Sequence, residues 1–417
     1  MIMHRSVSDL IAETRTALEP FGYRPSTTWQ LEYAWRLFEA YGVARGTTTF
    51  STGLAAEYLQ ELRQQYEDGA VKMWRFKLAR KALALLMQQW ETGEVQWNHL
   101  PAWGRADTPP HHVAVLARYA GDLTATGYGR GTQDVYLLVA RQFLQYLDRE
   151  QVPTLAAAAL KDVSGFIPAA GTIYQPTSMR TVLSALRHFL RWAAETRDVP
   201  RDLTSAVPRS GSRKTEMVPV FSGTEEQRLL GSFDRATPIG RRDYAICLLA
   251  LRLGLRAGDI VRLHWADLDW RRQTLSVVQE KTGRRLTTPL LADVGNALID
   301  YGLRGRPPSD SPVVFLRSQA PHRPLACDSA VYHVVAAAMA RAGIRQAPGD
   351  RRGPHALRHS LASRLLAAET SLPVIASVLG HGDKETTTVY LSTDVDHLRA
   401  CALDLAAIPV TREELRP

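Results

Sequence analysis

From Thr177 to Thr196 the chain reads TSMRTVLSALRHFLRWAAET, and Val182, Leu183, Leu186, Phe189 and Leu190 recur at three- and four-residue steps. That spacing gathers apolar side chains on one face of a helix, so it predicts a helix packed on a core. Arg180, Arg187 and Arg191 fall on another side. A basic stripe of this kind is either a solvated face or a surface for phosphates. The second half of the chain is mixed. TLSVVQ (Thr274 to Gln279) is rich in β-formers, EKTGR turns, and RLTTPLL resumes an extended pattern with Gly283 in the turn. This is a hairpin signature. Helical patterns surround it, so the predicted fold class is mainly α with a small antiparallel β-sheet.

Breaks in the pattern divide the chain. PAWGRADTPP, from Pro101 to Pro110, reads as a linker, and so does the basic stretch PRSGSRKTE from Pro208 to Glu216. Just beyond it, Ser222 and Glu225 have the spacing of a capping box that opens a new helix. These breaks predict an N-terminal helical domain over 1–102, a second helical domain over 110–208, a mixed domain over 218–408 and a tail over 409–417. A short internal repeat crosses the first linker. RLFEAY from Arg36 matches RQFLQY from Arg141, and ETGEV from Glu91 resembles ETRDV from Glu195 at nearly the same offset. Matching offsets suggest two similar helical units in tandem, with chance likeness between amphipathic helices as the rival.

Composition narrows the class. The net charge is +9 with a pI near 9.6, which favours a polyanionic partner such as nucleic acid. A hydrophobic share of 45% is enough for packed cores. Cys247, Cys327 and Cys401 are odd in number and far apart, so neither a disulfide framework nor a zinc site is expected. The start lacks the apolar run of a signal peptide. The most apolar stretch, YAICLLALRLGL, is broken by Arg252 and falls short of the ~20 residues that span a bilayer. The expectation is a cytoplasmic protein with no membrane partner.

Several chemistries fail on inspection. His355 and His359 are four apart, but Ala356 stands where a zinc protease needs Glu. There is no phosphate-cradling GxxxxGK[ST] loop and no Gly-x-Ser-x-Gly elbow. GYGRG, Gly127 to Gly131, has the wrong spacing for a dinucleotide loop. What remains is a set of cationic and hydrogen-bonding residues. LGLRAGDI carries Arg256 three before Asp259; an arginine in apolar surroundings is costly unless paired, and Asp259 can hold it. Lys281 sits at the hairpin turn. PHALRHS places His355 and Arg358 one helical step apart. LGHGDKETTTVY then sets His381 and Tyr390 nine residues apart.

In order and spacing these residues resemble the tyrosine recombinases, the phage-integrase family. The likeness is detailed from Val218 to Ala407 and looser over Pro110 to Pro208, which resembles the family's helical core-binding, SAM-like domain. Residues 1–102 lie outside the minimal family pattern. Asp259 stands where the family more often has Glu. The resemblance implies that Tyr390 attacks a DNA phosphodiester to form a 3′-phosphotyrosine, which a freed 5′-hydroxyl later resolves. It implies His355 as base or proton relay, Lys281 as acid for the departing oxygen, and Arg256, Arg358 and His381 as donors to the phosphate. Asp259 and His359 are expected to support them. No cofactor or metal is implied. Each motif alone has a structural reading: an ion pair, a helix cap, a turn lysine. The family reading gains its weight from all of them falling in one order. Tyr244, Tyr301 and Tyr332 follow no LGH motif and are read as structural.

The same resemblance implies double-stranded DNA as partner, and a homo- or hetero-tetramer of recombinases assembled on two sites. Arg180, Arg187, Arg191, Arg213 and Lys214 are the candidate phosphate contacts. Two rivals remain: a non-catalytic DNA-binding regulator of the same fold, and a type IB topoisomerase. All six expected groups are present, which opposes the first. The helical domain ahead of the mixed one opposes the second. The extra N-terminal unit leans the expectation towards the recombinase of a mobile element.

Overall fold

The computed structural model describes residues 5–96, 108–209, 220–325, 327–347, 350 and 352–380. Two compact units are present. One comprises the described parts of Met1–Asn98 and Thr215–Pro417, the other those of His99–Lys214.

The first four helices are α1 (Val7–Leu18), α2 (Pro25–Ala44), α3 (Thr52–Glu67) and α4 (Met73–Thr92). Serine caps start two of them: Ser6 accepts from the Asp9 amide at 3.0 Å and Ser51 from the Leu54 amide at 3.1 Å. Each cap satisfies an amide that a helix start leaves without a partner. Leu10, Leu31, Trp35, Phe38, Leu83 and Leu86 are fully buried among these helices. The Trp35 indole donates to the Ala82 carbonyl at 2.9 Å, so its one polar atom is satisfied inside the core.

Four more helices form the His99–Lys214 unit: α5 (Val113–Ala125), α6 (Arg130–Arg149), α7 (Leu160–Gly171) and α8 (Pro176–Glu195). Helix α8 is the one the opening pattern predicts. Val182, Leu186, Phe189 and Leu190 are buried, while Leu183 only flanks the core. They pack with Phe143 of α6 and Phe166 of α7. His188 joins Tyr119 and Tyr128 through hydrogen bonds of 2.8 and 3.2 Å. The two repeat segments hold matching places. Phe38 in α2 and Phe143 in α6 are both fully buried, each in a helix of 20 residues. At the other pair, Gly93 and Arg197 both adopt left-handed backbone just after their helices, with φ of 71° and 61°.

The rest of the chain runs α9 (Gly223–Gly231), α10 (Pro238–Arg252), α11 (Ala257–Val261), β1 (Leu268–Asp269), β2 (Thr274–Val278), β3 (Arg285–Pro289), α12 (Ala292–Arg304), α13 (Asp328–Arg341), α14 (Pro354–Ala367) and α15 (Leu372–Leu379). The predicted capping box opens α9: Ser222 accepts from the Glu225 amide, and the Glu225 carboxylate accepts from the Ser222 amide. Residues 245–251 of α10 are buried all round, which makes this helix the axis of the core. It packs on α12, α13 and α14. The sheet is antiparallel in the order β1-β2-β3. Leu275, Val277, Leu286 and Thr288 alternate inward, while Ser276 and Thr287 pair hydroxyls across the outer face at 2.8 Å. Tyr301 is structural, as expected: it is buried against Phe315 and its hydroxyl accepts from the Leu316 amide. Among the described residues no helix is long and apolar enough to cross a membrane.

Candidate active site

Residues far apart in sequence meet around the C-terminal end of α15. A helix end leaves carbonyls without intrahelical donors, and cations suit that end. Here the donors come from three other elements. Arg358, on α14 and 4% exposed, donates to the Leu379 carbonyl at 2.7 Å and also to the Gly254 carbonyl. Gln279, at the end of β2 and 1% exposed, donates to the same Leu379 carbonyl at 3.3 Å. Arg256 caps the start of α11 and donates through Nη2 to the Gly380 carbonyl at 3.2 Å. Its Nη1 is buried with no hydrogen-bond partner among the described residues. Gly380 itself needs left-handed backbone, with φ of 63°, and a Cβ there would lie 2.2 Å from the Gln279 amide nitrogen. Within the LGH motif the chain thus reaches His381 through a joint that favours glycine.

The hairpin turn that bears Lys281 is fastened from the same side. Gln279 and Arg284 close it, with amide-to-carbonyl bonds of 2.9 Å from Gln279 to Arg284 and 2.8 Å from Gly283 to Gln279. The Thr282 hydroxyl donates to the Gln279 side-chain oxygen at 2.9 Å. Glu280 pairs with Arg262, and its amide donates to Asp259 at 3.1 Å. Lys281 is left exposed at the tip.

Asp259 departs from expectation. No direct hydrogen bond or ion pair joins it to Arg256 among the described residues; its Oδ1 instead holds the hairpin through the Glu280 amide. Burial raises its pKa, while the positive charges of Arg256, Arg358 and Arg262 oppose the rise. Asp259 therefore supports the site by anchoring the Lys281 turn within a field of arginines. It does so through the backbone, which a pairing argument from sequence does not reach.

His355 lies in the first turn of α14, one step before Arg358. His355 is exposed at the surface, yet desolvation by the surrounding protein, then Arg358, Lys281 and Arg256, push its imidazole below the usual histidine range, with Asp328 acting the other way. The three cations named by this effect come from α11, the hairpin and α14. Hydrogen bonds bring Arg256 and Arg358 together at the end of α15, and His355 and Lys281 lie close enough for their charges to act on one another. A depressed pKa keeps His355 neutral at neutral pH, in the form that accepts a proton. His359 follows one turn later, partly buried on the same helix. His381 and Tyr390 lie outside the described residues, as do Arg213 and Lys214.

The candidate phosphate contacts of α8 divide. Arg180 and Arg191 are exposed, and Arg180 lines a shallow hollow with Thr132, Thr181 and Ser184. Arg187 is partly engaged within its own unit: its Nη2 donates to the Val207 and Pro208 carbonyls at 3.2 and 2.8 Å. It closes the end of its own unit, because the chain after α8 folds back within reach of its guanidinium. Gln279 is a site residue that the sequence reading missed. A lone glutamine at the end of a strand carries no periodic or motif signal, and the carbonyl it serves on α15 lies 100 residues away.

Comparison with known proteins agrees with this geometry. Residues 220–397 match the model of the phage integrase family. A Sinorhizobium fredii protein named as an integrase/recombinase is 36% identical over 326 residues, covering 78% of this chain and 77% of its own. The tyrosine recombinase XerD of Lacticaseibacillus casei is 27% identical over 282 residues, covering 66% of this chain and 92% of that one. Among solved structures, a lambda integrase dimer bound to a core site aligns with a TM-score of 0.53 at 18% identity, over 67% of this chain and 95% of that one. The chain belongs to the phage integrase family. It is a tyrosine site-specific recombinase, an enzyme that breaks and rejoins DNA strands.

Proposed function

We propose that Tyr390 is the nucleophile and that Arg256, Lys281, His355, Arg358 and His381 complete the catalytic set. The observation that carries this reading is the meeting of Arg256 and Arg358 at the carbonyls of Gly380 and Leu379, immediately before His381, with His355 and Lys281 within range of their charges. The Tyr390 hydroxyl attacks the phosphorus and forms the phosphotyrosine bond as the 5′-oxygen leaves. A phenol with a pKa of about 10 needs its proton taken, and a neutral His355 is suited to take it. Lys281 delivers a proton to the departing 5′-oxygen; its place on an exposed turn gives it reach. The two arginines and His381 stabilise the negative charge that grows on the equatorial oxygens, each for roughly 10²–10³ in rate by analogy with oxyanion donors. Arginine suits this because its planar fork matches two phosphate oxygens. Attack of a 5′-hydroxyl from another strand on the phosphotyrosine reverses these steps and releases the phenol.

The substrate is double-stranded DNA, gripped by exposed arginines such as Arg180 and Arg191, with Arg213 and Lys214 in the linker region, and the working form is a tetramer of recombinases on two sites, acting in the cytoplasm at the nucleoid. Residues 1–102 form an additional helical unit ahead of a core-binding domain, supported by the paired Phe38 and Phe143 and the paired Gly93 and Arg197. This extra unit, together with the relative named as an integrase, favours a mobile-element role. The test is incubation with nicked suicide duplexes built from DNA flanking the gene. A covalent protein–DNA adduct that is lost in Tyr390→Phe supports the assignment. An adduct that persists in that variant moves the nucleophile elsewhere.

A further inference from the structure

A second concentration of positive charge lies away from this site, at a cavity of about 300 Å³ within the same compact unit. Arg24, Lys81 and Arg317 line it together with Tyr23, Ser26 and Gln319, and none of the described lining residues is acidic. Glu19 belongs to a separate cavity that Tyr23 also borders. The cations are close enough to feel one another. Burial and then the Arg317 charge push the Lys81 ammonium below its usual range, and burial does the same to the Arg317 guanidinium. Arg323, stacked over Phe21 at 5.9 Å, adds its field to that of Arg317 on Tyr23. Lys81 also lies 5.2 Å above the Tyr23 ring.

A lysine ammonium such as that of Lys81, partly desolvated beside other cations, is unfavourable unless something negative joins it. The wall is otherwise suited to an anion. Ser26 and Thr27 belong to the first turn of α2, the positive end of a 20-residue helix. The Tyr23 hydroxyl is buried and has no hydrogen-bond partner among the described residues. None of these residues belongs to the candidate catalytic set.

We propose that this cavity binds a phosphate group. The same chemistry is presented by the backbone of duplex DNA and by a free nucleotide. The DNA source follows from the recombinase reading and rests on it; the nucleotide source does not. The test uses the full chain as wild type, Arg24→Gln, Lys81→Gln and Lys81→Arg. Arg24 is exposed, so its variant isolates the charge without disturbing a core. Binding to a random-sequence duplex is measured across salt, and thermal midpoints are measured with and without ATP.

For a backbone phosphate, the slope of log K against log salt falls by about 1 in each glutamine variant and is kept in Lys81→Arg. For a free nucleotide, ATP raises the midpoint of the wild type but not of the glutamine variants, while the salt slope stays unchanged. Either result supports the cavity as a phosphate site. The same slope and the same ATP response in wild type and variants overturn it. A wild type that binds no duplex at all defeats the DNA-binding reading instead, and the ATP measurement still decides the cavity.

Discussion

The α5–α8 unit and the region around α11, the hairpin and α14 are built on opposite principles. The helical unit buries Phe143, Phe166, Phe189, Leu186 and Leu190, with Asp162 its one buried carboxylate among the described residues of α5–α8. Asp162 stays near its helix start, where it accepts from the Ala159 amide at 2.8 Å. The second region buries Asp259, Gln279, Arg358 and Ser360, and each of them reaches a partner on another segment. Apolar packing is non-directional and tolerates drift, whereas buried polar groups must meet specific partners or cost free energy. The first region is thus a platform held by area. The second is held by geometry, as a site that must present charges to a phosphate requires.

The contrast can be broken at several points. Phe143→Ala is expected to destabilise the chain by about 3–5 kcal/mol, read from denaturant unfolding, because it opens a cavity in a full core. Cleavage within the complex at saturating DNA should stay near wild type. If single-turnover cleavage collapses while the protein remains folded, the platform is part of the chemistry. Arg358→Ala should act on the chemistry as well as on stability, since it also leaves the Gly254 and Leu379 carbonyls without their donor. Single-turnover cleavage should drop by roughly 10²–10³, or about 2.7–4 kcal/mol, with Arg358→Lys recovering little because an ammonium cannot bridge two carbonyls. A lysine variant with wild-type rates would mean that charge alone is needed there.

Smaller effects sharpen the same contrast. Gln279→Leu leaves the Thr282 hydroxyl without its acceptor and loosens the Lys281 turn, at a cost of roughly 1–3 kcal/mol. It should lower the cleavage rate while leaving DNA affinity unchanged; a change in affinity alone would assign Gln279 to binding. Arg180→Ala and Arg191→Ala should leave the chemistry intact and each lower the salt slope of DNA binding by about 1, while Arg187→Ala should not lower it.

pH supplies the finest test. His355 has a depressed pKa when folded, so the unfolded chain takes up its proton first. Its contribution to stability is present above the unfolded value of about 6.5 and is lost as pH falls from there through the folded one. Cleavage that depends on neutral His355 should therefore persist as pH drops through 6.5 and decline only below it. The wild-type-minus-His355→Gln difference isolates this ring. A difference that already fails above 6.5 would place the pKa on the other side and end the base assignment.

How much of this was legible in advance follows the same division. Helix α8 and its core face were readable because a 3.6-residue period is a local property. The hairpin and the α9 cap were readable for the same reason: turn glycine, alternation and Ser-x-x-Glu all act within a few residues. The candidate site was readable only as an ordered set of motifs that resemble a family. Its interior was not. Arg187 lies on the same face of α8 as Arg180 and Arg191, yet it serves the Val207 and Pro208 carbonyls, which the return of the chain brings within reach. Asp259 is spaced to pair with Arg256, yet it holds the Glu280 amide.

What the amino-acid sequence determined by itself is the set of elements, the basic balance and the order of the chemical groups, since propensity, periodicity and charge belong to the chain wherever it lies. What only the tertiary structure decided is which carbonyl each arginine serves, that Gln279 and Gly380 meet, and that Arg256 and Arg358 reach the same end of α15. Those outcomes depend on distances between segments some 100 residues apart. A buried hydrogen bond is set by ångström-scale placement, and no local pattern carries it.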